Sequence, residues 1–298
     1  MNRLYPSLLF AALVLSAGCA EPQAPSEAPA TPAESASFVP QDRIDARVAA
    51  AHERLEATEG GRLLREAIDA HGGLATWYAN GPIAFTYRYG RGNGSALETA
   101  QVIDTWSSRA RHEVLNRPDS LGEATFGWTG QEAWAMPNAG AVPTNARFWA
   151  LTPYYFVSMP FVLADPGVNL EAAGQMSVED RTYDLVYATF DSGTGDAPDD
   201  YYYVLIDPET KQVGGVRYIV SYPGFYEKGQ HSTERLMLYD GAQTIDGITV
   251  QEGFRSFAWT GAGKGEAAAT GTTTNVRFES ALPSDYFDMP AEAETVEM

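Results

Sequence analysis

From Ile83 the chain reads IAFTYRY (83–89), TAQVIDTW (99–106), RARHEVL (109–115), EATFGWT (123–129) and EAWAMP (132–137), and these segments decide the fold. Each is short and rich in β-branched or aromatic residues, and Gly, Asn, Ser and Pro clusters separate it from the next. Alternating positions place one side of each segment against a core, so the spacing predicts an antiparallel meander. The pattern resumes at GVNLEAAG (167–174), YDLVYATF (183–190), YYYVLID (201–207), GVRYIVSY (215–222), STERLMLY (232–239), ITVQEGFRSFAW (248–259) and TNVRFES (274–280). Asp207–Lys211, Asp240–Gln243 and Asp246-Gly247 supply hairpin turns. The expectation is about twelve strands with no linker between the two groups, hence one domain over residues 41–290.

Outward from the meander the period changes. Ile44, Val48 and Leu55 share one helical face, and Gly60-Gly61 is expected to interrupt that pattern. A second helix carries Leu64, Ala67, Ile68 and His71 on one face, and Gly72-Gly73 supplies its left-handed stop. Between the strand groups lies NARFWALTPYYFVSMPF (145–161), read as a helix or two short helical turns across a sheet face.

The N-terminus has a different logic. Arg3 precedes the apolar run Ser7–Leu15 and the small residues Ser16-Ala17-Gly18, ahead of Cys19, the only cysteine in 298 residues. The run is too short to span a bilayer and matches a secretory signal. It resembles the lipobox of bacterial lipoproteins, which implies cleavage after Gly18 and lipidation, palmitate included, of Cys19. A single cysteine leaves no internal disulfide and no thiolate zinc site. Ala20 at the second mature position implies outer-membrane sorting. Residues 20–40 carry five prolines and no basic residue, a disordered tether. The acidic tail 291–298 is expected to fray. A formal charge of −19 repels phosphate backbones and anionic lipid surfaces, so nucleic acid is excluded as a partner and membrane association rests on the anchor.

The segments LLREAIDAHGGLATW (63–77), PYYFVSMPFVLADPGV (153–168), the block over 183–222 and LPSDYFDMP (282–290) resemble uncharacterised Gram-negative periplasmic lipoproteins of the LolA/LolB-like superfamily. The resemblance spans most of residues 60–290. It implies an α+β, mainly β fold: a strongly curved antiparallel sheet, an incomplete barrel, with helices covering the open concave face. Independently, a sheet of about twelve strands must curl, and the helices at 41–71 and 145–161 are placed to cap it. A concave face not filled by side chains becomes an apolar cavity.

The candidate ligand-binding residues are His71, Trp77, Phe148, Trp149, Tyr154, Tyr155, Phe156, Met159 and Phe161. His71 has a competing and preferred reading, a histidine satisfying the carbonyls of its own helix end before a glycine cap. The aromatic segment serves equally as a core cover. The loop Asp191–Asp200 is rich in carboxylates but lacks an EF-hand's spacing, so a solvated hairpin is preferred to a calcium site. In Tyr201-Tyr202-Tyr203, alternation sets Tyr202 on the face opposite the other two. No Gly-x-Ser-x-Gly elbow, His-Glu-x-x-His, Walker loop or Rossmann glycine pattern occurs, and His52, His71, His112 and His231 have no ligand spacing. The expectation is therefore a monomeric, non-enzymatic envelope lipoprotein without cofactor or metal, facing the periplasm and binding a hydrophobic ligand or lipoprotein moiety. An interaction protein docking a partner, or a hydrolase with an unrecognised site, remain the alternatives.

Overall fold

The computed structural model describes residues 38–297. The expected signal peptide, Cys19 and the tether as far as residue 37 lie outside the described residues. The alternating segments form β1 (Ile83–Arg91), β2 (Ala96–Ile103), β3 (Ala110–Val114), β4 (Thr125–Trp128), β5 (Ala133–Met136), β6 (Val168–Val178) and β7 (Arg181–Phe190). They continue as β8 (Tyr202–Ile206), β9 (Val213–Tyr218), β10 (Arg235–Ile245), β11 (Ile248–Thr260), β12 (Gly263–Phe278) and β13 (Glu294–Val296). These make one 13-stranded antiparallel sheet in the order β13-β5-β4-β3-β2-β1-β12-β11-β10-β9-β8-β7-β6. The edges β13 and β6 do not pair, so the sheet is an open half-barrel rather than a closed one.

Two meanders, β1–β5 and β6–β12, meet at a central seam where β1 pairs with β12, Tyr87 opposite Thr273 and Tyr89 opposite Gly271. Two features of this arrangement were not expected. The tail does not fray throughout, because Glu294–Val296 complete the bonding of β5 and Glu294 also accepts from the Ala139 N–H. β12 begins eleven residues before the expected TNVRFES segment, in a Gly-, Ala- and Thr-rich run without large apolar side chains. That run sits beneath an aromatic ring: a Cβ on Gly271 would lie 1.8 Å from the Phe254 ring. Small side chains are what this close approach requires.

Helices α1 (Gln41–Glu56), α2 (Glu59–Ala70), α3 (Leu74–Ala79) and α4 (Ala146–Val157) cover one face, with a 3-10 turn over Phe161–Ala164. The α1–α2 break falls at Ala57-Thr58, not at Gly60-Gly61. The Thr58 side chain caps α2 by accepting from the Gly61 N–H and donates to the Leu170 carbonyl on β6. Gly60 lies inside α2 because the helix rests on β6; a Cβ there would come within 2.4 Å of the Glu171 backbone. Gly72-Gly73 end α2 as expected, with Gly73 N–H bonded to Ile68 O and Gly72 N–H to Asp69 O. Arg47 ties α1 to the loops at the sheet's end, hydrogen-bonding the Trp106 carbonyl between β2 and β3 and pairing with Asp165 ahead of β6 at 2.8 Å.

The main core lies between these helices and the sheet, from Ile44, Leu64 and Ile68 through Phe85, Tyr87 and Phe126 to Val204 and Met237. On the other face, Phe287 from the closing segment packs on Ala84 and Val102. A separate cluster joins Tyr183, Leu205, Leu236 and Phe257 there.

Candidate functional site

The nine candidate residues divide into two groups. His71, Trp77, Tyr154, Met159 and Phe161 are packed in the core: Trp77 stacks on Phe161 at 4.6 Å and on Tyr154 at 6.3 Å. Phe148, Trp149, Tyr155 and Phe156 instead line a cavity of about 290 Å³ between α4 and the sheet.

His71 is bound into the backbone. Its Nδ1–H donates to the Thr249 carbonyl at 2.8 Å, and Nε2 accepts the Val213 N–H at 3.1 Å. Its own carbonyl accepts the Thr249 N–H, so the end of α2 pairs with β11 much as a strand would. Burial lowers its pKa below the ordinary value and keeps the ring neutral, against the Thr249 hydrogen bond. Gly72 permits the approach, since a Cβ there would lie 2.1 Å from the Gly247 carbonyl oxygen.

The cavity is built on α4. Asn145 caps the helix by accepting from the Phe148 N–H, and it also accepts a long hydrogen bond from Tyr222 Oη. Two further contacts hold α4 in place. His112 Nε2–H donates to the Ala150 carbonyl at 2.8 Å, and Tyr239 Oη donates to the Phe156 carbonyl at 2.8 Å. This fixes the face carrying Phe148, Leu151, Thr152 and Tyr155 toward the cavity.

The opposite wall comes from strand positions that alternation places inward: Tyr89 on β1, Phe190 on β7, Tyr202 on β8 and Tyr218 on β9. Their rings form a continuous surface with the helix: Tyr155 stacks on Tyr202 at 6.0 Å, Tyr202 on Tyr218 at 6.0 Å, and Phe156 meets Tyr218 at 5.1 Å. Tyr201 and Tyr203 face the other way, where Tyr203 lies under the Arg217 guanidinium. Burial raises the pKa of the phenols of Tyr89, Tyr155, Tyr202 and Tyr218, so they stay neutral.

The rim is polar. Arg147 lies 3.5 Å above the Trp128 ring and pairs with Asp196 at 2.8 Å. Asp200 accepts from the Ser221 N–H at 2.5 Å and from Ser221 Oγ–H at 2.7 Å. Burial pushes its carboxyl up to about 6, against these hydrogen bonds. Arg235, at the start of β10, completes the lining. The carboxylates of the 191–200 loop diverge: Asp191 takes Asn169, Asp196 takes Arg147 and Asp200 takes Ser221. Among the described residues no group of three or more His, Cys, Asp or Glu side chains is placed to hold a metal ion.

Sequence reasoning missed the sheet half of this site. The inward parity of Tyr202 was legible, but parity does not tell which inward positions lie under core and which line a void. Tyr89, Phe190, Tyr218, Asp200 and Arg235 carry no local signal of that difference.

No protein-family model matches the chain, and no curated protein does. Solved structures share its fold. A LolA superfamily protein from Nitrosomonas europaea aligns at a TM-score of 0.50 and 10% identity, over 78% of this chain and 99% of that one. A putative outer-membrane lipoprotein-sorting protein domain from Vibrio parahaemolyticus aligns at 0.48 and 11%, over 80% and 97%. A DUF1329 family protein from Desulfovibrio piger aligns at 0.46 and 12%, over 81% and 97%. The architecture is thus that of the LolA superfamily structure, an open antiparallel half-barrel with helices on one face.

Proposed function

We propose that this protein is a lipid-anchored protein of a Gram-negative cell envelope that holds the apolar part of a hydrophobic ligand in its half-barrel. The observation that carries this reading is the cavity of about 290 Å³ walled by Phe148, Trp149, Leu151, Tyr155, Phe156, Phe190, Tyr202 and Tyr218. A concave, mostly aromatic space with a few polar groups at its rim is what small apolar ligands require. Burying an acyl chain there is favourable by about 0.8 kcal/mol per methylene. The fold shared with a LolA superfamily protein agrees with such a role.

The export and anchoring parts rest on sequence: residues 1–18 are a signal peptide, Cys19 carries the acyl chains, and residues 19–40 tether one domain over 41–290 facing the periplasm from the outer membrane. The protein acts as a monomeric carrier or receptor and not as a catalyst. Metabolic labelling with a palmitate analogue should mark the wild type and not Cys19→Ser. For the cavity, detergent-free protein should quench or shift Trp149 fluorescence on titration with decyl amphiphiles and retain them in native mass spectrometry. Phe156→Trp, which narrows the cavity, should weaken that binding by about tenfold. An unchanged affinity in this variant would place the bound probe elsewhere.

A further inference from the structure

The charges on the cavity rim can be sorted by partner. Arg147 and Asp196 neutralise each other. Glu234, next to Arg235 in sequence, points to the outer face and pairs with Arg217 at 3.1 Å. Two formal charges are then left in the lining. The Asp200 carboxylate is held by Ser221 hydrogen bonds but meets no cation within ion-pair distance among the described residues. The Arg235 guanidinium makes no ion pair and no hydrogen bond with any described residue, although it lies on an aromatic wall.

Their positions are set by the sheet. Arg235 is directly opposite Tyr218, and Tyr218 directly opposite Tyr202, so the three form one cross-strand row on the cavity face. Asp200 lies two residues before Tyr202, at the end of the loop that leads into β8. Two interstrand spacings, about 10 Å, separate the ends of the row. Arg235 thus stands at one end of the row and Asp200 beyond the other, in the same lining and without an ion pair between them.

Both side chains are half-buried, and a half-buried charge without a counter-ion carries a cost that a ligand supplying one can recover. One free charge of each sign, set apart at the mouth of an apolar cavity, is complementary to a ligand carrying both signs. We propose that the cavity selects amphiphiles with a zwitterionic head, an anionic phosphate or carboxylate meeting Arg235 and an ammonium meeting Asp200, above a tail lodged among the aromatic rings. This rests on the proposed function and names the ligand class for that same site.

The test compares four probes with one tail, decyl phosphoethanolamine, decyl phosphate, decylammonium and decanol, by calorimetric titration of the purified protein. The zwitterion should bind at least about tenfold tighter than decanol. Arg235→Gln and Asp200→Asn, checked for folding by thermal melting, should each shrink that preference about tenfold. Asp200→Asn should in addition improve decyl phosphate relative to decylammonium, and Arg235→Gln should do the reverse. If decanol and the zwitterion bind alike, or the variants leave the ranking unchanged, the two groups are solvated rim charges and the inference fails while the cavity's role stands. If decyl phosphate alone matches the zwitterion, the site reads only anions and the inference fails as well. Binding of none of the four would remove the proposed function itself.

Discussion

His112 lies buried under α4, stacked on Phe126 at 4.4 Å and donating from Nε2 to the Ala150 carbonyl. Burial lowers its pKa to about 4, against 6.5 in an unfolded chain. His71 is shifted in the same direction. The unfolded chain therefore binds these protons first, and stability falls as pH drops below about 6.5. For His112 alone the loss by pH 4.5 is about 2 kcal/mol. Asp200 acts in the opposite sense. Its folded pKa, about 6, lies above the ordinary carboxylate value, so its contribution is largest in acid and is lost as pH rises through about 6. Urea denaturation at pH 7 and pH 4.5 should show a smaller acid loss in His112→Gln than in wild type. An equal loss would mean that His112 does not titrate with unfolding. The residue scale was also where reading the sequence succeeded unevenly. The Gly72-Gly73 stop was visible in an ordinary helix-end pattern, whereas the His71 ring bonds the backbones of β11 and β9 and not the carbonyls of its own helix end, which nothing local announces. The importance of Asp200 was not visible either, because a carboxylate in an acidic loop gives no sign of burial.

At the scale of elements, a helix can need glycine for what it touches rather than for how it bends. Gly60 and Gly61 sit inside α2, and the space they leave is occupied by the Glu171 backbone and the Leu55 carbonyl. In sequence the pair reads as a breaker, and the neighbour that explains Gly60 is more than a hundred positions away. Gly60→Ala should lower stability by about 1–3 kcal/mol as α2 is pushed off β6. Gly261→Ala, where the added Cβ meets nothing, is the matched control. Thermal melting of both variants measures the difference, and equal melting temperatures would mean that α2 shifts freely on β6. The α4 segment was legible as an aromatic cover, yet its two faces were not. Phe148 and Tyr155 meet the void, whereas Tyr154 and Val157 are buried in the core. Helical period gives the spacing of the faces, and only the curvature of the facing sheet decides which face is filled.

For the whole molecule, local hairpins were readable and the seam was not. Turn residues such as Asp246-Gly247 announce their own pairing, but nothing local to β1 says that its neighbour begins at Gly263. The same absence of signal hid the strand in the acidic tail, which forms only because β5 offers an edge. Such long-range pairing makes folding slow, since loop closure precedes the contacts that compensate it. Refolding from urea should run on the millisecond-to-second scale or slower. A chain ending at Thr260 should stay expanded and bind a hydrophobic dye. Cooperative melting of that truncated chain would show that the two meanders fold apart.

The seam also orders events in time. Tyr89 reaches the cavity from β1, and Tyr202 and Tyr218 reach it from β8 and β9, yet these strands are joined only through β12, β11 and β10. A chain released N-terminus first therefore has no container until nearly its last strand arrives. The wall between Tyr89 and Tyr218 is closed late, so a ligand of the kind proposed can be held only by the finished fold and not by any N-terminal part of it.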